Sequence, residues 1–227
     1  MSRTVLITGA GRGIGRKLAE HYMGDGANVL LTARDPSTLD DLAAGGAEVF
    51  KLEVTDAGDI AQLKSALGSR PIDILINNAG IIGGPGPQTF GDLIMDDWAE
   101  TMRINVFAPF AITEALIDNV MASTEKKFIV ISSRMGSISQ NTAPDKIIYR
   151  SSKAAVNMVW KCLHNRLASK GAIVVPLHPG WVSTDMGGSG APVTPEDSAE
   201  GLAKVIDGLK ARDSAQLFDY QREEIGW

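Results

Sequence analysis

A tyrosine stands four residues ahead of a lysine in the stretch IIYRSSKAAV, at Tyr149 and Lys153. On a helix, positions i and i+4 share a face, so the phenol and the ammonium are predicted to point the same way. A neighbouring positive charge favours the ionised phenol. Lys153 is therefore expected to pull the pKa of Tyr149 down from its ordinary value near ~10. A tyrosine so tuned can give or take a proton at neutral pH, which is general acid–base chemistry. The same spacing also arises by chance, as a half-buried tyrosine beside a solvated lysine, so the rest of the chain has to decide.

A second feature suits a phosphate. VLITGAGRGIG is a predicted strand running into a helix start. Gly9, Gly11, Gly13 and Gly15 let backbone come close to a ligand where a Cβ would collide. The helix start, at Gly13, Ile14 and Gly15, offers free N–H groups and a partial positive charge. The spacing is Thr8-Gly9-x-x-x-Gly13-x-Gly15, not the common G-x-G-x-x-G. On the second strand, LLTARD puts Arg34 near the place where an acidic residue would hold the 2′-hydroxyl of NAD. An arginine there suits the 2′-phosphate of NADP, and Arg12 inside the turn is a second cation. Asp35 works the other way and favours NAD if it faces the ribose. Two cations against one anion make NADP(H) the expected cofactor, with NAD(H) as the alternative.

These residues need a frame. The runs RTVLIT, NVLLTA, AEVFKL, IDILIN, KFIVIS and AIVVPLH, with a weaker AQLFDY, are continuous apolar strands of the kind buried on both faces. Amphipathic segments lie between them, several ending in glycine at Gly26, Gly45 and Gly171. Alternation of strand and helix means βαβ units and a parallel sheet. The expected fold is α/β, a doubly wound parallel sheet of about seven strands with helices on both faces. No linker or repeat divides the chain, so residues 1–227 form one dinucleotide-binding and catalytic domain.

Composition narrows the function. With 227 residues, 44% hydrophobic and 22% charged, the chain is an ordinary globular one. A net charge of −5 argues against nucleic acid or an anionic membrane as partner. The single cysteine, Cys162, rules out an internal disulfide; it lies in a helical pattern and is expected to be packed. The start MSRTVLITGAG carries no targeting run, and no apolar segment reads as long enough to span a bilayer, which predicts a cytoplasmic protein. His21, His164 and His178 sit on separate elements without ligand spacing, so no metal is expected. The helices after Asn105 and Tyr149 look apolar nearly all round. A sheet covers only one side of a helix, so a homodimer or homotetramer through these helices is expected.

Taken in order, TGAGRGIG, NNAG at Asn77–Gly80, RINVF around Asn105, ISS at Ile131–Ser133, YRSSK and HPGWVSTDM resemble the short-chain dehydrogenase/reductase family over essentially the whole chain. ISSRMGSIS and the segment after HPGWV resemble its small carbonyl-reductase-like branch, which includes C-factor and sniffer proteins. The resemblance implies roles by position. Tyr149 matches the catalytic acid/base and Lys153 the lysine that lowers its pKa and holds the nicotinamide ribose. Ser133 matches the serine that binds the substrate oxygen, with Ser132 and Ser137 as fallbacks. Asn105 matches the asparagine that helps hold a relay water. Asn78, Ala79 and Gly80 match the segment passing the adenosine ribose. Pro179, Gly180, Val182 and Thr184 match the segment binding the carboxamide. Glu53, beside Val54, stands where the family often has Asp or Asn near the adenine, and its greater length puts a side-chain contact in doubt. Trp181 and Met186 are expected on the substrate side, and the short MGGSGAPVTP in place of a helical lid implies an open site.

The function expected from all this is hydride transfer between NADP(H) and a small carbonyl or alcohol substrate. The alternatives are a nucleotide-sensing or signalling protein of the same fold with little turnover, and a structural oligomer with an empty cleft.

Overall fold

The computed structural model describes residues 2–227. The six strong apolar runs are strands β1 (Thr4–Ile7), β2 (Asn28–Ala33), β3 (Glu48–Lys51), β4 (Ile74–Asn77), β5 (Lys127–Ile131) and β6 (Ile173–His178). Every residue of β1, β4 and β5 is buried, because helices cover both faces of the sheet there. β7 (Leu217–Asp219) extends the sheet in parallel, and β8 (Glu224–Ile225) pairs antiparallel with β7. The sheet thus has eight strands, in the order β3-β2-β1-β4-β5-β6-β7-β8. The eighth is the one the sequence does not predict, since two residues cannot carry a periodic pattern. Strand order reverses where β1 lies between β2 and β4, and the crevice beyond the carboxyl ends of these strands is where a doubly wound sheet binds ligands.

On one face α1 (Gly13–Gly24) and α7 (Pro195–Gly208) bring Leu18, Tyr22, Leu202 and Ile206 against Ile7, Ile76 and Val175. The short α2 (Asp40–Ala44) follows β2 on that side, adding Leu42 to the same core. On the other face α3 (Ala57–Leu67), α5 (Ala108–Met121) and α6 (Ile147–Leu167) bring Leu63, Ile112, Leu116, Val156 and Trp160 against Leu6, Leu75 and Phe128. Each such side chain contributes about 1.5–3 kcal/mol of transfer free energy. The Trp160 indole N–H is satisfied in the core by the Phe128 carbonyl at 3.2 Å.

α4 (Met95–Met102), a π-helical turn at Arg103–Phe107 and α5 run on as one rod. Met95–Met121 has the length and apolarity of a membrane span, contrary to the expectation that no segment does. Half of its most apolar stretch is buried in the fold, and the packing of Val106, Ile112, Leu116 and Val120 on the sheet accounts for its composition. Pro109 explains the wide turn: it has no N–H for the Asn105 carbonyl four residues back, so regular α-helix cannot run through.

The apolar helices are mostly consumed within their own fold. Val106, Ile112, Leu116, Val156, Trp160 and Leu167 are buried, while Phe107, Phe110 and Met158 remain exposed. Cys162 is also exposed rather than packed.

Candidate active site

The glycine turn joins β1 to α1. Gly9 and Gly13 have φ of 67° and 56°, a region that disfavours any residue with a Cβ. A Cβ on Gly15 would collide with the Asn78 amide and the Gly9 carbonyl. Asn78 donates from Nδ2 to the carbonyls of Thr8 and Gly9 at 3.0 and 3.1 Å. The Thr8 hydroxyl accepts from the N–H groups of Asn78 and Ala79. Gly15 and the Asn78 side chain therefore fix the shape of the turn. Arg12, the residue before α1, is extended and caps nothing, and no acid sits in the first helical turn. The N–H groups at Gly13, Ile14 and Gly15 are thus left for an anion.

A cleft of about 660 Å³ runs from this turn across the carboxyl ends of the strands to Tyr149. Its β2–β3 end is lined by Arg34, Asp35, Glu53 and Val54. The Asp35 carboxylate accepts from the N–H and hydroxyl of Ser37. That of Glu53 accepts from the N–H and hydroxyl of Thr55. Both acids are spent on their own turns, whereas the exposed Arg34 lines the wall with its charge available. Arg12 is ion-paired with Asp185 across the mouth, both side chains being solvent-exposed.

At the other end α6 carries Tyr149 in its first turn and Lys153 one turn later. The Lys153 ammonium is buried, lies 5.6 Å from the Tyr149 ring centroid and donates to the Ile131 carbonyl at 2.9 Å. Burial pushes its pKa down to about 8. Tyr149 is closely surrounded by protein, though one side opens on the cleft, and burial pushes the phenol up to about 12 against an opposing pull from the Ser133 hydroxyl. This corrects the expectation that Lys153 lowers the phenol's pKa. With the ammonium turned to Ile131, desolvation decides.

Ser133 lies two residues beyond β5 and caps a short 3-10 turn at Arg134–Gly136, its Oγ accepting from the Met135 N–H at 3.1 Å. The fallback serines are committed elsewhere, Ser132 to the Asn157 side chain at 2.6 Å and Ser137 to the Gly226 carbonyl. Asn105, in the π turn, donates from Nδ2 to the Ile81 carbonyl and the Ser152 hydroxyl and accepts at Oδ1 from the Ile81 N–H. Gly80 lies between Asn105 and Lys153: a Cβ there would stand 3.1 Å from Asn105 Oδ1 and 3.6 Å from Lys153 Nζ.

Pro179 and Thr184 line the cleft, with Thr184 packed over Gly13. Val182 is instead buried and bridged to Val193, and Gly180, with φ of 89°, lies against Tyr220. Met186 reaches the cleft, whereas Trp181 is exposed with its indole N–H donating to the Gly187 carbonyl at 2.8 Å. His178 ends β6; burial and nearby Arg134 push its pKa down to about 4, so it is neutral at physiological pH. Thr38 and Ile81 also line the cleft and carry no motif that marks them in the sequence, while Ile104, Asp185 and Pro195 line it from within RINVF, HPGWVSTDM and MGGSGAPVTP.

The short chain dehydrogenase family model matches residues 3–192. The chain belongs to the short-chain dehydrogenase/reductase family. It is therefore an NAD(P)-dependent oxidoreductase of that family. This short-chain dehydrogenase is 41% identical over 157 residues to C-signal of Myxococcus xanthus, covering 69% of this chain and 93% of that one. A short-chain dehydrogenase/reductase from Burkholderia multivorans with bound NADP superposes over 100% of both chains with TM-score 0.93 and 29% identity. NADPH-bound carbonyl reductase from chicken fatty liver does so with TM-score 0.90 and 32% identity, over 100% of this chain and 99% of that one. The residues present fit such a dinucleotide: the cradle at Gly9 and Gly13 that a Cβ would strain, the uncapped start of α1, and two arginines on the wall of one continuous cleft.

Proposed function

We propose that this enzyme is an NADP(H)-dependent carbonyl reductase in which Tyr149 is the acid/base. The observation that carries the reading is one cleft joining the uncapped start of α1 and the two arginines to Tyr149 and Lys153. The neighbours solved with NADP or NADPH support the cofactor. Gly13, Ile14 and Gly15 would hold the pyrophosphate, and Arg34 and Arg12 a 2′-phosphate. Ala79, Gly80, Pro179 and Thr184 would line its course towards Tyr149, with Lys153 on the ribose at the reacting end. When bound, the cofactor supplies the hydride that reduces the carbonyl carbon.

The chain's own residues handle the oxygen. Ser133 and Tyr149 donate hydrogen bonds to the carbonyl oxygen as negative charge develops there. Tyr149 then gives its proton to that oxygen. At neutral pH the phenol is fully protonated, the state this step requires. Lys153, 5.6 Å from the Tyr149 ring centroid, would stabilise the phenolate left behind once its ammonium turns from the Ile131 carbonyl to the phenol oxygen. Asn105 acts through what it grips: its amide pins Ile81 and Ser152 next to Lys153. The open rim at Met186 suits substrates of varied shape. The exposed Phe107, Phe110 and Met158 on the π-helical turn, α5 and α6 are where we place a second copy of the chain; Phe110→Glu is expected to leave a monomer by light scattering if so.

NADPH oxidation with a panel of aldehydes, ketones and quinones tests the reading. Tyr149→Phe is expected to cost about 10²–10⁴-fold in turnover while NADPH binding persists. The likeness to C-signal favours a second reading, a signalling protein of this fold. NADPH binding without turnover on any carbonyl would select it.

A further inference from the structure

The helix that carries Tyr149 is capped by a residue from elsewhere in the chain. α6 begins at Ile147, two residues before Tyr149, and a helix start leaves its first N–H groups without partners inside the helix. The residue preceding it, Lys146, is in the left-handed region at φ 55° and provides no side-chain cap. Gln88, in the loop between β4 and α4, fills the gap twice. Its backbone carbonyl accepts from the Ile147 N–H at 3.1 Å, and its side-chain Oε1 accepts from the Tyr149 N–H at 3.3 Å.

Three further features show that Gln88 is built into this place. It is 2% exposed, although it lies in a polar, glycine- and proline-rich loop. It holds φ of 55°, a strained backbone for a residue with a side chain. Its Nε2 donates to the carbonyls of Ile82 and Gly84 at 3.0 and 3.1 Å, so three hydrogen bonds orient the amide. The loop approaches α6 closely as well: a Cβ on Gly83 would stand 3.0 Å from Ile148 Cγ2 and 3.2 Å from Gln88 Nε2. Lys146 closes the junction, its N–H donating to the Pro87 carbonyl and its ammonium to the Gly86 carbonyl, each at 2.8 Å.

We infer that Gln88 is a positioning residue of the reaction: it sets the height and rotation of the first turn of α6 and so aims Tyr149 at the substrate oxygen. The inference rests on Tyr149 being the acid/base. A Leu or Met at position 88 would fill the same space and leave the Tyr149 N–H unpaired. Misplacement of a reacting group by about an ångström costs up to ~10²-fold.

Gln88→Gly is the informative variant, because glycine accepts the positive φ and keeps the carbonyl that caps Ile147. It removes the side chain alone. Steady-state kinetics with NADPH and an aldehyde, NADPH affinity by fluorescence, and a Tyr149→Phe control are measured together. The expected result is a kcat reduced about 10–100-fold with NADPH affinity within about twofold, and a comparable loss in Gln88→Met, which fills the space but leaves the Tyr149 N–H unpaired. If Gln88→Gly does not fold, Gln88→Met is measured against the same thresholds. An unchanged kcat, a loss of NADPH binding in step with kcat, or a parental kcat in Gln88→Met overturns the inference. Retained turnover in Tyr149→Phe would instead overturn the acid/base reading on which it rests.

Discussion

Lys153 holds its ammonium 5.6 Å from the Tyr149 ring centroid while donating to the Ile131 carbonyl, with no carboxylate bonded to it. A buried, singly bonded ammonium is costly, and the fold retains it at the Tyr149 end of its cleft. The pKa of this lysine is pushed from its ordinary 10.5 to about 8 by burial. The folded protein therefore releases the proton first, and between pH 8 and 10.5 the unfolded chain binds more protons. Stability from this group rises with pH through that window, and the full burial cost is present below it.

Lys153→Met follows as a test in the cofactor-free protein. At pH 7 the variant is expected to be inactive yet more stable by on the order of 2 kcal/mol, after allowance for the lost bond to Ile131. The advantage should shrink as pH rises from 8 to 10. Urea unfolding at pH 6.5, 8, 9 and 10 checks this; an advantage that grew with pH would contradict the sign.

Arg34 is the residue on which the proposed preference for NADP(H) rests. It lines the cleft beside Asp35, whose carboxylate is held by Ser37. Arg34→Asp is expected to lower kcat/KM for NADPH about 10–100-fold, the worth of one or two hydrogen bonds to a charged group, and to change that for NADH far less. Equal discrimination before and after the substitution would remove Arg34 from the role.

The frame was legible because its physics is local. Strands buried on both faces read as unbroken apolar runs, and β1 to β6 stand where those runs predict. The Tyr149–Lys153 pair is legible from helical spacing alone. The direction of the phenol's shift was not, because it depends on how much protein surrounds the hydroxyl and on Lys153 turning to Ile131. Gln88 was hidden for a different reason. It meets Tyr149 across 61 positions of sequence, and a glutamine in GGPGPQTF reads as solvated loop. Asp185 meets Arg12 across 173. Contacts of that range follow from the completed fold and leave no periodic signal.

The Arg12–Asp185 pair gives a prediction of its own. Asp185 occupies one of the two cations proposed for the 2′-phosphate, so ligand and carboxylate compete for Arg12. Because both side chains are exposed, the pair is worth at most about 1 kcal/mol. Asp185→Asn is expected to tighten NADPH binding up to about fivefold at low ionic strength, with the gain fading in about 0.5 M salt as screening takes over. Titration of NADPH fluorescence at two salt concentrations decides. Weaker binding in the variant would mean that Asp185 shapes the mouth of the cleft rather than competing for Arg12.

Gly136 controls how closely the Ser133 turn sits on α6. A Cβ on it would stand 2.7 Å from the Lys153 carbonyl carbon and 2.8 Å from the Lys153 Cβ, distances that require movement. Neither contact is the end of a flexible side chain, so the turn at Arg134–Gly136 must lift away from α6 and carry Ser133 with it. Overpacking of this kind typically costs about 1–3 kcal/mol, and displacing one hydrogen-bond donor from a developing oxyanion costs about 10²-fold or more in kcat. Gly136→Ala is thus expected to lower both melting temperature and kcat, with NADPH affinity retained because the glycine turn lies at the other end of the cleft. Ser133→Ala separates the two effects: it should match the kcat loss while costing stability only the cap on the turn, about 1 kcal/mol, and so lower the melting temperature less. If Gly136→Ala melts early but turns over normally, the approach of the Ser133 turn to Lys153 serves packing alone.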